Sequence, residues 1–222
     1  MDEQVVYWIG FFVALAFVVF GADDVLWDVF ALFRGTGKKR VKLSLINEKP
    51  PKMLAVVIAA WHEDAVLGEV VDNLVASAQY PRSLYRVFLG VYPDDPGPTS
   101  KAANINHTVR AIREYEAERD VRFASVTIHD AEDVVHPNEF KMTNYLIDDY
   151  DALQFPVFPL QRMPRLRLFF KTLTSSTYAD EFAEHHFRTM VMRDELGFVP
   201  SAGTGFAIGR RFATRTCCRA TA

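Results

Sequence analysis

Six carboxylates follow three separate apolar runs. Glu63 comes after Met53–Ala60, Asp94 and Asp95 come after Tyr85–Tyr92, and Asp130, Glu132 and Asp133 come after Val121–His129. Carboxylates gathered at one place attract hard cations, and Mg²⁺ in particular takes one or two carboxylates together with the phosphate oxygens of a substrate. A glycine-rich phosphate cradle does not accompany them. Gly203-Thr-Gly205-Phe-Ala-Ile-Gly209 has the wrong spacing for a dinucleotide fingerprint, the turn after the first apolar run lacks glycine, and no P-loop is present. A divalent cation bridging the carboxylates to a nucleotide diphosphate is the economical chemistry. One acidic turn such as Asp94-Asp95, taken singly, is more often a helix cap or a solvated loop. Its repetition after three successive runs reverses that weighting.

The elements needed to gather these residues are legible. Met53-Leu-Ala-Val-Val-Ile-Ala-Ala60 is a continuous, β-branched apolar run suited to a strand covered on both faces. Leu67, Val70, Val71, Leu74 and Val75 then recur at helical spacing before Tyr80-Pro81, and a second strand spans 85–92. A helix over about 102–119 and a third strand over 121–129 follow. This alternation predicts an α/β fold with a mostly parallel sheet and flanking helices. In such sheets ligands bind beyond the carboxyl ends of the strands, where all six acids would converge. Gln154-Phe-Pro-Val-Phe-Pro159 is expected as a buried edge strand closed by prolines.

Four segments carry a resemblance. The first strand with Ala59-Ala-Trp-His-Glu-Asp64, the turn Tyr92-Pro-Asp-Asp95, the helix start Lys101-Ala-Ala-Asn-Ile-Asn106, and His129-Asp-Ala-Glu-Asp133 followed by Pro137 occur in the order and spacing of a family 2 glycosyltransferase with a GT-A fold. With the N-terminal span, GADDVLWD, HDAEDVVHPNE and SAGTGFAIGRR, the chain is similar to the bacteriophage adsorption protein B group, inner-membrane, cellulose-synthase-like members of that family. The resemblance implies that Glu63 and Asp95 contact the nucleoside, with Asp94 as the alternative, and that Lys101 approaches the nucleotide. It implies Asp130 and Glu132 as the acids of a DxD loop binding Mg²⁺ or Mn²⁺, with Asp133 as a neighbouring candidate. Glu132 departs from the usual second Asp. Gly203, Thr204 and Gly205 would line the donor-sugar and acceptor side. The implied partners are a nucleotide-diphosphate sugar, UDP-sugar first, and a glycan acceptor. A Thr-Glu-Asp-like motif with the general base and a Gln-x-x-Arg-Trp motif follow the glycine-rich segment in the family. Neither occurs before Ala222, so the expectation is a truncated chain limited to donor binding or slow hydrolysis.

Val5 to Ala22 carries no charge, and a helix of that length, at ~1.5 Å per residue, nearly spans a ~30 Å hydrocarbon core. Tyr7, Trp8 and Trp27 stand at its ends, Asp2 and Glu3 precede it where a signal peptide needs Lys or Arg, and Arg34, Lys38, Lys39, Arg40 and Lys42 follow it. The expectation is an inner-membrane anchor with the soluble part in the cytoplasm. Asp23, Asp24 and Asp28 against Val25, Leu26, Val29, Phe30, Leu32 and Phe33 suggest a short amphipathic helix at the membrane surface. The resulting division is an anchor with its interfacial segment over 1–34, a basic linker over 35–52, a glycosyltransferase-like domain over 53–213 and an atypical tail over 214–222.

The 222 residues carry 25 Lys+Arg against 28 Asp+Glu, a net charge of −3, and are 50% hydrophobic. That is globular composition, opposed to a disordered chain and to a nucleic-acid partner. Cys217 and Cys218 build neither a disulfide framework nor a CxxC site. His62, His129, His185 and His186 lack metal-ligand spacing and receive no metal. Arg162, Arg165, Arg167 and Lys171 suit anionic lipid, so membrane lipid is an expected partner. Two other functions compete. One is a non-catalytic inner-membrane component of an exopolysaccharide-secretion or phage-adsorption apparatus, with an outer-membrane export or adsorption partner. The other, ranked last, is a metal-dependent phosphoesterase.

Overall fold

A computed structural model describes residues 3–34, 41–60, 64–91, 100–160, 177, 179–197 and 199–210. The chain forms two compact units, Arg40–Phe155 with Ser201–Ala222, and Met1–Lys39 with Pro156–Pro200. Residues 156–200, within the stretch expected as one domain over 53–213, cluster with the N-terminal segment.

The first unit is built on five strands: β1 (Leu54–Ala59), β2 (Tyr85–Gly90), β3 (Ser125–Asp130), β4 (Ala152–Gln154) and β5 (Phe206–Gly209). Their order is β2-β1-β3-β5-β4. β1 pairs in parallel with both β2 and β3, and β5 runs antiparallel to both β3 and β4. The parallel half follows the sequence reading, and the antiparallel β5 makes the sheet mixed. Central β1 explains its own composition. Leu54, Val56 and Ile58 enter one core with Leu67, Leu74, Tyr85 and Phe140, while Ala55 and Val57 enter another with Ile112, Phe123 and Ile128. A strand with two buried faces has no place for a polar residue, and each fully buried Val, Leu or Ile contributes about 1.5–3 kcal/mol.

Helices α2 (Asp64–Ser77), α3 (Lys101–Arg119) and α4 (Glu139–Leu146) connect and flank these strands. At the N-terminus of α3 the Ser100 hydroxyl accepts the Ala103 N–H at 3.3 Å, and Asp120 closes the other end in a left-handed conformation, φ 48°. The third strand starts later than expected, at Ser125 rather than Val121. Upstream of Leu54 there is no β1 residue to pair with. Residues 121–124 are held otherwise, with Phe123 N–H on the Glu116 carboxylate at 2.7 Å and Ala124 N–H on Met53 O at 2.7 Å.

Two further expectations are corrected. Residues 41–52, within the basic stretch taken for a linker, are packed. Ile46 is buried in a 3₁₀ turn (Leu45–Asn47), Asn144 of α4 accepts from Lys52 N–H at 3.0 Å and donates to Pro50 O at 3.2 Å, and Lys49 donates to Tyr145 O at 2.6 Å. The six basic and polar residues 35–40 lie outside the described residues. The edge strand lies at Ala152–Gln154 rather than 154–159, and Phe158 is exposed. Two prolines within 155–159 remove ladder donors, which stops the pairing where the glutamine ends it.

In the second unit α1 is one unbroken 32-residue helix, Glu3–Arg34, roughly 48 Å long. The separate amphipathic helix expected after Gly21 is a continuation of it. Its segment Gln4–Phe33 is long and apolar enough to cross a membrane, with none of its most apolar stretch buried against the chain. Side chains such as Phe17 and Phe20 are about four-fifths exposed, a state that suits hydrocarbon and not water. Near the other end, Asp28 pairs with Arg188 at 2.8 Å and the Arg193 guanidinium lies 5.4 Å from the Trp27 ring. These arginines belong to a helical stretch comprising a π-turn (His185–Thr189) and α5 (Met190–Glu195). The basic residues 162–171 lie outside the described residues.

Candidate active site

Asp130 is the last residue of β3 and lies in register with Ala59, itself opposite Gly90. The chain therefore leaves β1, β2 and β3 at one common edge of the sheet, the edge at which α/β folds bind ligands. Glu63, Asp94 and Asp95 lie outside the described residues.

The acidic loop is knitted to the glycine-rich segment by two hydrogen bonds through Thr204 and closed on itself by a third. Asp130 N–H is shared between Asp133 Oδ2 at 2.9 Å and Thr204 Oγ1 at 3.1 Å, and the Thr204 hydroxyl donates to the same Asp133 oxygen. Thr204 is placed there by its neighbours. Gly203 and Gly205 have φ of 86° and 59°, left-handed values that a side chain would strain. Gln154, ending β4, braces the turn from behind. Its amide donates to Thr204 O at 2.9 Å and Phe155 O at 2.8 Å, and its carbonyl accepts Ala202 N–H at 2.8 Å.

Beneath the loop lies a buried charge cluster. His129 is 3% exposed, with Nε2 2.9 Å from Glu139 Oε1 and Nδ1 3.5 Å from Asp133 Oδ2. Burial pushes the imidazole pKa down, but the hydrogen bonds and negative charges of Asp133 and Glu139 outweigh it and hold the pKa up at about 9. Burial pushes the Asp133 carboxyl up, and His129, the Thr204 hydroxyl and Asp130 N–H together hold it below its ordinary value. At neutral pH the cluster is an imidazolium between two carboxylates.

Above the loop the acids are open. The Asp130 side chain is 34% exposed and pairs through Oδ1 with the Lys101 ammonium, itself 42% exposed. A Cβ added at Gly203 would lie 3.9 Å from Lys101 Nζ, so the ammonium sits between the acidic loop and the glycine turn. Glu132 is exposed on the same loop. The structure thus brings together Lys101, Asp130, Asp133, Gly203, Thr204 and Gly205, with Glu132 beside them.

Four residues of the site carried no role in the sequence reading. His129 and Glu139 form the buried pair, Gln154 braces the turn, and Asn104 joins α3 to the end of β2 through Nδ2 on Gly90 O at 2.8 Å. The close approach of Asn104 requires glycine at 90, because a Cβ there would fall 2.4 Å from Asn104 Oδ1. Asn104 sits inside the quoted Lys101–Asn106 motif, and Thr108 one turn later on the same face is its signal. The spacing of His129 and Glu139 signals nothing.

Among the described residues, no group of three His, Cys, Asp or Glu side chains is placed to hold a metal ion. The donor set nonetheless fits a hard cation of the Mg²⁺ kind, which needs only one or two carboxylates when substrate phosphates complete its shell. Asp130 and Glu132 are the open carboxylates. Asp133 Oδ2 is already held by protein donors.

Residues 50–97 and 94–218 match the family model described as glycosyltransferase like family 2. The chain is 32% identical, over 91% of its length, to bacteriophage adsorption protein B of Escherichia coli K12, and equally to bacteriophage N4 adsorption protein B of Escherichia coli O157:H7. It spans 31% of the length of each, so about a third of these relatives is matched. Members of the family generally use a divalent cation, a nucleotide-sugar donor and a glycan acceptor. The family match across most of the chain agrees with the carboxyl-end site of its sheet, and the protein belongs to glycosyltransferase like family 2.

Proposed function

We propose that this chain is the donor-binding part of a membrane-anchored glycosyltransferase, facing the cytoplasm from the inner membrane and taking a UDP-sugar for transfer to a growing polysaccharide. The observation that carries the reading is the meeting of Lys101, Asp130 and the Gly203–Gly205 turn at the carboxyl end of the parallel strands. Asp130 and Glu132 would hold Mg²⁺ or Mn²⁺, which when bound neutralises charge growing on the departing nucleotide diphosphate. Lys101 supplies a further positive charge to the same phosphates. Asp133 keeps the loop shape by fixing Asp130 N–H and Thr204, and the bare backbone of Gly203 and Gly205 allows the sugar to approach closely. Glu63 with Asp94 or Asp95 would hold the nucleoside. No general base is assigned among the described residues.

Isothermal titration of the detergent-solubilised chain with UDP, with and without Mn²⁺, tests this. The expected result is Mn²⁺-dependent UDP binding that Asp130→Asn removes. Binding unchanged by that substitution would overturn the site.

The relatives' names speak of phage adsorption, and a second reading makes the chain a non-catalytic part of an adsorption or polysaccharide-export apparatus with an outer-membrane partner. It predicts that phage adsorption in a bacterium depending on this protein survives Asp130→Asn combined with Glu132→Gln.

A further inference from the structure

The Lys101 ammonium pairs with Asp130, one of the two open carboxylates of the loop. It pairs with Oδ1 of the carboxylate that ends β3, on the Gly203 side of the loop, while the Asp133 carboxylate and the Thr204 hydroxyl are engaged with each other and with the backbone. Asp133 Oδ2 takes Asp130 N–H and the Thr204 hydroxyl, and Thr204 Oγ1 takes Asp130 N–H. A divalent cation on Asp130 would stand against this ammonium, and like charges brought together there repel, moderated by solvent. The ion pair itself is half-exposed, 42% and 34%, and pairs of that kind contribute little to stability. Its exchange is therefore easy once the ammonium has another anion to meet.

We propose that Lys101 is an internal stand-in for the metal. It neutralises Asp130 before donor and cation bind and passes to the diphosphate when they arrive, so that cation and nucleotide binding are coupled through this one side chain. The proposal rests on the donor-site reading above and deepens it. Its consequence is a site that takes up little free cation and closes its charge only when the diphosphate is present.

Mn²⁺ binding to the detergent-solubilised full chain, followed by loss of the free-ion electron paramagnetic resonance signal, tests the coupling. In the unsubstituted protein, UDP should tighten Mn²⁺ binding by about tenfold, within the ordinary range of coupling between sites. In Lys101→Met, Mn²⁺ alone should bind several-fold more tightly and the enhancement by UDP should shrink toward onefold, whereas Lys101→Arg should keep it. Lys101 is exposed, and circular dichroism serves to check that each variant is folded. If Lys101→Met raised Mn²⁺ affinity by the same factor with and without UDP, only a general loss of positive charge would be at work and the exchange would be overturned. Unchanged Mn²⁺ affinity in Lys101→Met, with UDP–Mn²⁺ binding intact, would overturn it equally. If the folded unsubstituted protein bound no Mn²⁺ even with UDP, the donor-site reading would fall, and this inference with it.

Discussion

The acidic loop after β3 has an inner and an outer half that differ in everything except composition. Inside, Asp133 and Glu139 enclose His129, all three groups are largely shielded, and both carboxylates are held by protein partners. Outside, Asp130 and Glu132 face solvent, and Lys101 is the counter-charge the structure gives Asp130. The lesson is that one acidic stretch divides its labour. Carboxylates already satisfied by the fold give shape, and those left open are available to a ligand.

Removing an inner partner should show the difference most strongly. Glu139→Ala leaves the buried imidazolium short of one carboxylate and should lower stability by about 3 kcal/mol, the scale of a broken buried ion pair, in urea unfolding of the solubilised protein. Titrating the same cluster should act comparably. The His129 pKa is raised from 6.5 to about 9, so its stabilisation is complete below about pH 6.5 and is lost as pH rises through about 9, on the order of 3 kcal/mol in all. Asp133 runs the other way, since its lowered pKa gives stability that is present above 3.8 and is lost as pH falls through the folded value. Unfolding midpoints measured from pH 3 to pH 10 should fall at both ends, and a flat alkaline limb would break the comparison.

Thr204 joins the two halves, and its loss should have an intermediate effect. Thr204→Val leaves Asp133 and Asp130 N–H each one partner short, which should cost about 1–2 kcal/mol, while Thr204→Ser should restore most of it. The outer half should matter least to folding. Asp130→Asn and Glu132→Gln should each change stability by no more than about 0.5 kcal/mol, as exposed substitutions do, yet abolish Mn²⁺-dependent UDP binding. A large stability loss from Asp130→Asn would show that the outer half is structural as well.

Residue order reveals the outer half more readily than the inner. Acids that follow apolar strands can be recognised from spacing, because the strand directs them to a known edge of the sheet. The continuous apolar run of β1 likewise announces a strand buried on both faces, as the two cores bear out. Nothing local announces that His129 and Glu139, ten residues apart, meet across the loop, or that Gln154 reaches back under a turn some fifty residues later in the chain. The second contact depends on β5 entering between β3 and β4, a long-range register that periodicity does not encode. Residues 41–52 escaped recognition for a related reason. Their polarity suggests solvent, whereas Lys49 and Lys52 meet the Asp148 and Asp149 carboxylates at the end of α4.

The position of β5 also sets a timetable for biosynthesis. Its four residues seal the flank of β3, but Phe206 is translated long after Asp130. At about 5–20 residues per second the ribosome needs several seconds or more to cover that distance. Throughout that interval the nascent chain presents the unsealed flank of a β-branched strand, an invitation to wrong pairing with other nascent chains. By then α1, far upstream of β5, has already left the ribosome, and its capture by a bilayer would hold the chain away from its neighbours while β5 is made.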